Sequence, residues 1–286
     1  MIMNRLKTTI LLGALAGLFI GVGYLLGNKT GMIIGFSIAM IINFSMYWFS
    51  DKIVLKMYSA KEVSKDHKLY KIVEDLARVA KIPMPKVYTI IAPSPNAFAT
   101  GRNYSHSAVA ATESLLTLLT EEEVKGVMAH EISHIKHRDT LIQTIAVGIA
   151  ASIAMVAEIA QWALIFGMGD DEGEGGFGSI LGSILLLILV PIIATVIQLA
   201  ISRQREYLAD AGASQIMKTP MPLINALQKL ENAAKNSNHD THPSHAPAQS
   251  LFIINSFSGT SVWKLFSTHP ATEDRIKAMK LLKINR

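Results

Sequence analysis

Two uncharged apolar runs follow each other near the N-terminus, Thr8–Asn28 and Thr30–Ser50. A helix needs about 20 residues to cross a hydrocarbon layer of roughly 30 Å, and each run provides that length. Half of the chain is apolar and only 17% is charged, which is unusual for a soluble protein of this size. The two runs therefore predict membrane-spanning helices at about 8–28 and 30–50.

Two further apolar stretches occur in the second half of the chain. Leu141–Met168 contains one charged residue, Glu158, and Phe177–Ile201 contains none. Both are long enough to span a bilayer, so we expect a mainly α-helical integral membrane protein with four transmembrane helices. Glu158 receives no assigned role. The chain is then divided into a transmembrane hairpin at 1–50, a polar part at 51–140, a second transmembrane hairpin at 141–201 (spans at about 141–168 and 177–201), and a second polar part at 202–286.

The basic residues in the short flanks of these spans predict their orientation, because Lys and Arg accumulate on the cytoplasmic side. The turn between the first two spans contains only Lys29, and the turn between the last two is acidic. We therefore expect both termini and both polar parts to be cytoplasmic. The flanking basic residues are Arg5, Lys7, Lys52, Lys56, Lys61, Lys65, Lys136, Arg138, Arg203 and Arg205.

The formal net charge of +5 follows largely from these flanks. No basic stripe interleaved with stacking aromatics is present, so we expect no nucleic-acid partner. The chain contains no cysteine, which excludes a disulfide framework, a thiolate metal site and a cysteine nucleophile. Any bound metal must use histidine and carboxylate ligands.

The two polar parts are each modest in size, and we expect them to share one core. Apolar spacing and flanking breakers predict a small β-sheet within a largely helical domain. Thr120 followed by Glu123 reads as a capping box that begins a helix. The predicted strands are 86–91, 97–100 and 107–111, and the other predicted helices are 66–79, 202–217, 222–234 and 272–282.

The helix predicted after Thr120 contains the pattern H-E-x-x-H, formed by His130, Glu131 and His134. Residues four apart lie on one face of a helix, so both imidazoles can bind one Zn²⁺ while Glu131 stands beside the activated water. Two surface histidines and an ordinary glutamate are the alternative interpretation of so short a pattern. A third ligand elsewhere in the chain distinguishes the two.

Glu206 is the best candidate for that third ligand. The last two spans form a hairpin, so the chain returns to the membrane side on which His134 lies, and Glu206 follows directly. Asp210 lies one helical turn later and is placed to accept the second N–H of a ligating imidazole. His137 is the rival ligand, but it is about 10 Å from His130 along the helix axis at a rise of 1.5 Å per residue.

Five segments, in this order and spacing, resemble those of the HtpX-type membrane zinc metallopeptidases, a family related to the CAAX prenyl proteases. The resemblance extends over nearly the whole chain. One turn departs from it, because Thr112–Leu116 lacks the glycine that the family often has there. The five segments are the two N-terminal spans, Pro95–Gly101, His130–His134 with Asp139, Glu206–Asp210, and Ser267–Pro270 with Glu273, Arg275 and Ile276.

The resemblance implies a gluzincin-like domain with one Zn²⁺ per chain, located in the bacterial inner membrane. Carried over residue by residue, it implies zinc ligands at His130, His134 and Glu206, and a general base at Glu131. It further implies supporting or substrate-contacting roles for a second group of residues. These are Asp210 and Asp139 around the ligands, Asn96, Ala97, Phe98 and Ala99 beside the substrate, and His269 and Arg275 near the reacting carbonyl.

The family's substrates would be unfolded, misfolded or damaged membrane proteins that are degraded under stress. Three other readings stay open at this stage. A prenyl-protein protease would usually have more spans, a transporter would show internal repeats, and a zinc-containing adaptor without activity would close all four metal positions with protein ligands. The histidines at 239, 242 and 245 lie in a polar loop and receive no role.

Overall fold

The computed structural model describes residues 2–146, 203–236 and 270–282. The spans predicted beyond residue 146, Glu158, His269 and the histidines at 239, 242 and 245 lie outside the described residues. The described part is mainly helical with one small mixed sheet. Its helices are α1 (Ile2–Met57), α2 (Lys68–Ala80), α3 (Glu113–Leu118), α4 (Glu121–His137), α5 (Arg203–Met217), α6 (Met221–Asn236) and α7 (Thr272–Lys280), with a further helical stretch at 140–146.

Helix α1 folds back on itself near its middle. A straight helix would separate residues 12 and 43 by about 46 Å, yet the side-chain amide of Asn43 donates to the carbonyl of Leu12 at 3.1 Å. The reversal coincides with Asn28, whose φ of 52° is left-handed, a conformation that Asn tolerates better than most residues. The two predicted N-terminal spans thus form a helical hairpin.

Glycines bring the two arms of the hairpin into backbone contact. A methyl group on Gly23 would collide with the carbonyl of Gly31, and one on Gly35 would collide with the carbonyl of Phe19. Small residues permit such close approach between helices in a membrane. Within the described residues, one helical segment, Asn28–Phe49, is long and apolar enough to cross a membrane, and the first arm contains a shorter apolar stretch, Leu12–Gly21.

The sheet has four strands in the order β1-β2-β4-β3. Strand β1 pairs antiparallel with β2, β2 pairs parallel with β4, and β3 and β4 form an antiparallel hairpin with an irregularity at Gly101 and Asn103. Strand β3 is therefore an edge strand. The strands are β1 (Lys61–Glu62), β2 (Lys86–Ile90), β3 (Ala97–Asn103) and β4 (His106–Thr112).

The two faces of the sheet are covered by different parts of the chain. Successive side chains of a strand point to opposite faces, and Ala97, Ala99 and Val109 join the large core with helices α2, α4 and α6. Phe98 of β3 and two alanines of β4, Ala108 and Ala110, pack instead against the end of α1. The sheet is thus held between the helical layer and the end of the N-terminal hairpin.

Local hydrogen bonds define both ends of α4. At its start the predicted capping box is present, because Thr120 accepts from the amide of Glu123 and the Glu123 carboxylate accepts from the amide of Thr120 at 2.8 Å. At its end Arg138 is left-handed, with φ 59°, and the amide of Asp139 bonds to the carbonyl of His134 at 3.0 Å. This Schellman-type ending turns Asp139 back toward His134.

Two short elements were not predicted from the sequence. Strand β1 has only two residues, and α3 begins at Thr112, whose side chain accepts from the amide of Leu115. Both are too short to produce a periodic apolar pattern. The segment Thr112–Leu116, where the sequence departs from the family pattern, contains the N-cap Thr112 and the first residues of α3.

Gly126 provides a test of the packing of α4 against α6. A Cβ atom at this position would lie 2.6 Å from the backbone nitrogen of Leu223, so Gly126→Ala is expected to lower the free energy of unfolding by about 1–3 kcal/mol. Gly13→Ala is the matched control, since its Cβ would meet nothing within 4 Å. Thermal unfolding in detergent should show a lower Tm for Gly126→Ala alone, and equal Tm values would contradict the close contact.

Candidate metal centre

The two histidines of the H-E-x-x-H pattern lie side by side on the buried face of α4. Their Nε2 atoms are 3.1 Å apart, and their rings meet edge to face with centroids 4.7 Å apart. His130 is completely buried, and Glu131 and His134 are each 4% exposed. The i, i+4 spacing therefore presents two imidazole nitrogens at one protected point.

Helix α5 brings the third side chain to the same point. The two carboxylate oxygens of Glu206 lie 3.6 Å from Nε2 of His130 and 3.5 Å from Nε2 of His134. Helix α5 approaches α4 closely because Gly212 has no side chain, and a methyl group there would collide with the hydroxyl of Ser133. His130, His134 and Glu206 form a buried group whose ligand atoms all lie within 4.8 Å of one another.

A carboxylate stands behind each imidazole. Oδ1 of Asp210 is 2.9 Å from Nδ1 of His130, and Oδ2 of Asp139 is 3.5 Å from Nδ1 of His134. A carboxylate that accepts from Nδ1–H leaves the lone pair on Nε2. The contact with Asp210 therefore orients His130 to present an electron pair toward Glu206, and the longer contact with Asp139 favours the same tautomer of His134.

An arginine holds each of these carboxylates. Arg275 of α7 donates from Nε and Nη2 to Asp210 at 2.9 and 2.7 Å, and its Nη2 is also 3.5 Å from Nδ1 of His130. Nε of Arg205 is 3.5 Å from Oδ1 of Asp139. The two-pronged contact of Arg275 fixes the plane of the Asp210 carboxylate, and Asp210 in turn fixes the ring of His130.

The site favours a positive charge on His130. Burial lowers the pKa of His130, but its hydrogen bonds to Asp210 and Glu206 outweigh burial and raise the pKa to about 9. Burial also raises the pKa of Asp210, but the charge and hydrogen bonds of Arg275 are stronger and hold it at about 2. A metal ion that binds here must displace the proton of His130.

The donor set fits a divalent metal such as zinc. Two neutral imidazole nitrogens and one carboxylate are the ligands of many catalytic zinc sites. The 3.1 Å separation of the two Nε2 atoms is near the spacing of about 3.3 Å expected for two nitrogens bound tetrahedrally at about 2.05 Å. Two lone pairs and a carboxylate this close in a dry environment repel each other unless a cation lies between them.

Glu131 faces the sheet edge beside the metal-binding group. Burial raises the pKa of its carboxyl group, and the carboxylate accepts a hydrogen bond from the backbone amide of Ala99 on β3. The edge of β3 therefore lies next to the candidate general base. A group that is buried, shifted in pKa and held beside a metal site is placed for proton transfer.

The residues of the segment Asn96–Ala99 contact different parts of the protein. The amide of Ala99 is bonded to Glu131 of α4, and Ala97 lies on the same strand face as Ala99. Asn96 is bonded through its backbone to Thr112 on the other side. The ring of Phe98 stacks on Tyr58 with centroids 5.4 Å apart, so this side chain points away from the metal-binding group.

The remaining candidates are also located. His137 is exposed and lies within 3.2 Å of the Ser133 hydroxyl, and it is not among the three grouped ligands. Arg275 is 1% exposed and contacts Asp210, behind His130. Arg205 was not singled out from the sequence for this site, although its position next to Glu206 in Arg-Gln-Arg-Glu was a signal that could have indicated it.

Comparison with known proteins identifies the class of protein. The profile of Peptidase family M48 matches residues 63–283, and the chain belongs to this family, which confirms the resemblance. The "Protease HtpX homolog" of Persephonella marina is 48% identical over 283 residues, covering 97% of this chain and 96% of its own length. That of Pyrococcus furiosus is 49% identical over 281 residues, covering 96% and 94%.

A solved structure shares the fold at much lower identity. The crystal structure of S. mikatae Ste24p has a TM-score of 0.51 and is 18% identical. The alignment covers 97% of this chain and 65% of the Ste24p chain. The mainly helical fold with a small sheet is therefore shared with Ste24p.

Asp210→Asn tests the carboxylate behind His130. The amide cannot hold the imidazole as a carboxylate does, so we expect zinc affinity to fall about 10–100-fold. The affinity is measured by chelator competition, with Tm recorded to show that the variant is folded. Asp75→Asn is the control, because the Asp75 side chain is 71% exposed and pairs with Arg78 of the same helix at 3.3 Å. Unchanged affinity in a folded Asp210→Asn variant would contradict this role.

Proposed function

We propose that this protein is a membrane-embedded zinc metalloendopeptidase with one Zn²⁺ per chain. The observation that carries the proposal is the buried group of His130, His134 and Glu206, with Glu131 adjacent on the same helix. Membership of a peptidase family and the protease names of its relatives support peptide-bond hydrolysis. A zinc-containing adaptor would have no need of a buried carboxyl group beside the metal-binding group.

The three ligand side chains would hold zinc, which supplies Lewis-acid activation of water and of the scissile carbonyl. Glu131 would take the proton from the attacking water and later deliver it to the leaving amine. Burial raises the pKa of Glu131, which moves its proton affinity toward the working pH. The amide of Ala99 holds the carboxylate in place for both transfers.

The edge of β3 would bind the substrate. The amide of Ala99 is bonded to Glu131, but the other outward amide and carbonyl groups of an edge strand can pair with an extended peptide by β-augmentation. Ala97 and Ala99 are small, so an added strand can approach the candidate centre. This mode of binding requires an extended segment, which favours unfolded or damaged membrane proteins as substrates and a role in protein quality control under stress.

Arg275 and His269 complete the proposed site in different ways. Both hydrogen bonds from Arg275 to Asp210 favour a positioning role, through Asp210 and His130, over direct contact with the reacting carbonyl. His269, for which the resemblance implies oxyanion stabilisation, lies outside the described residues. The residue that follows it, Pro270, is buried shortly before the start of α7.

We propose four membrane spans with both termini and the metal centre on the cytoplasmic side of a bacterial inner membrane. The apolar segment Asn28–Phe49, the hairpin of α1 and the lysines that follow it support this arrangement. The Leu141–Ile201 region would provide the second pair of spans. Spans three and four would then hold α4 and α5 together as the two halves of the site.

Glu131→Gln separates metal binding from chemistry. The amide cannot accept the proton, so hydrolysis of an unfolded test protein should fall about 100-fold or more while zinc content stays unchanged. Glu206→Ala should instead lose zinc, and Glu113→Gln, an exposed glutamate, should retain both. Metal removal and zinc re-addition should abolish and restore cleavage by the wild type. Full activity of Glu131→Gln, or no wild-type cleavage at stoichiometric zinc, would contradict the peptidase proposal.

Topology is tested with single cysteines, because the chain has none of its own. A cysteine replacing Gly173, between the last two predicted spans, should react with a membrane-impermeant thiol reagent added outside intact cells. A cysteine replacing Lys61, which is exposed, should react only after the cells are opened. If the Gly173 position is protected and the Lys61 position is labelled from outside, the protein has the opposite orientation in the membrane.

A further inference from the structure

Four aromatic residues surround the end of the apolar segment Asn28–Phe49. We call Phe44, Tyr47, Trp48 and Phe49 the aromatic collar. Each is between 41% and 58% exposed, and their rings touch one another at centroid distances of 5.6 to 6.4 Å. Aromatic side chains of this kind are enriched where a spanning helix meets the lipid headgroups.

Two cations lie directly on this collar. The guanidinium of Arg102 stacks over the ring of Trp48 at 4.5 Å and donates to the backbone carbonyl of Trp48 at 3.1 Å. The ammonium of Lys52 lies 5.7 Å from the centre of the Phe49 ring. Asp51, which precedes Lys52, sets one negative charge against these two positive charges. The collar therefore carries positive charge at the level where lipid phosphates would lie.

Arg102 connects the collar to the strand that borders the metal centre. It lies on β3, three residues after Ala99, whose amide bonds to Glu131. His106, across the β3–β4 turn, lies 3.1 Å from Nη2 of Arg102 and 3.0 Å from the side-chain carbonyl of Asn103. Gly101, which precedes Arg102, accepts at its carbonyl from the hydroxyl of Thr140 at 2.9 Å. The strand is thus joined at this end to the first predicted transmembrane hairpin and to the residue that directly precedes the second.

We propose that the aromatic collar with Lys52 and Arg102 is a binding site for the phosphates of anionic membrane lipids. The aromatic rings would lie at the glycerol level and the two cations at the phosphate level. The inference rests on the membrane placement proposed above. It identifies the membrane-facing surface by residues that take no part in metal binding, so its test does not require peptidase activity.

The depth of the collar is measured by fluorescence of a single tryptophan. The chain has three tryptophans, so Trp162→Phe and Trp263→Phe leave Trp48 as the only emitter in bilayers. Lipids brominated near the carboxyl end of the acyl chain should quench it more than lipids brominated near the methyl end. Moving the emitter to Ile38, which is 42% exposed and about 15 Å deeper along the helix, by Ile38→Trp with Trp48→Phe should reverse this order.

Lipid selectivity is measured in the same single-tryptophan background. Brominated phosphatidylglycerol and brominated phosphatidylcholine are compared at equal mole fraction. A cation near the membrane surface favours anionic lipid by about fivefold, so phosphatidylglycerol should be enriched around Trp48 to about that extent. Arg102→Gln combined with Lys52→Gln should abolish the enrichment. Arg78→Gln should preserve it, because Arg78 is exposed on α2 and pairs with Asp75.

Equal quenching by the two lipids, or enrichment that survives the double substitution, would overturn the lipid site. Absence of quenching by any brominated lipid would overturn it as well. These results leave zinc-dependent cleavage untouched and are therefore distinguishable from failure of the peptidase proposal. If the wild type shows selective quenching but no zinc-dependent cleavage, the result contradicts the peptidase proposal and supports the lipid site.

Discussion

The mutual repulsion of three buried electron-pair donors is the constraint on which the structure around the site depends. Nε2 of His130 and Nε2 of His134 lie 3.1 Å apart with the carboxylate of Glu206 beside them. Such a group is stable only if a cation, either the proton of His130 or a metal ion that displaces it, lies among the donors, and if other parts of the protein hold each donor in place. Helix α5 and the outer carboxylates do the holding, and the family to which the chain belongs is consistent with a metal as the cation.

The charges around the three donors also favour a bound cation. Around the site in the described part of the chain, the buried carboxylates Glu131, Asp139, Glu206 and Asp210 face two arginines, Arg205 and Arg275. Two negative charges remain when the histidines are neutral, and a divalent ion would neutralise them. Because each arginine contacts an outer carboxylate, and Arg275 approaches His130 only at Nδ1, the arginines fix the histidines without occupying the metal position.

Some of the site follows from local sequence alone. His130, Glu131 and His134 are related by the period of one helix, and the capping box at Thr120 identifies where that helix begins. Glu206 required an additional step, the return of the chain through a predicted membrane hairpin. By contrast, the Asp210–Arg275 pair joins residues 65 positions apart, and no periodicity relates them. The contact of Arg102 with Trp48 bridges 54 positions and is equally invisible to a local pattern.

The sequence by itself determined the mainly helical character, the apolar N-terminal runs, the residue types of the candidate metal centre and the family. These depend on composition and on short-range spacing, which a chain carries before it folds. Tertiary structure alone decided that Phe98 turns away from the site while the amide of Ala99 meets Glu131, and that Arg275 lies behind Asp210. Those arrangements depend on which strand is at the sheet edge and on how closely α5 approaches α4 at Gly212, and both are fixed only when distant segments pack together.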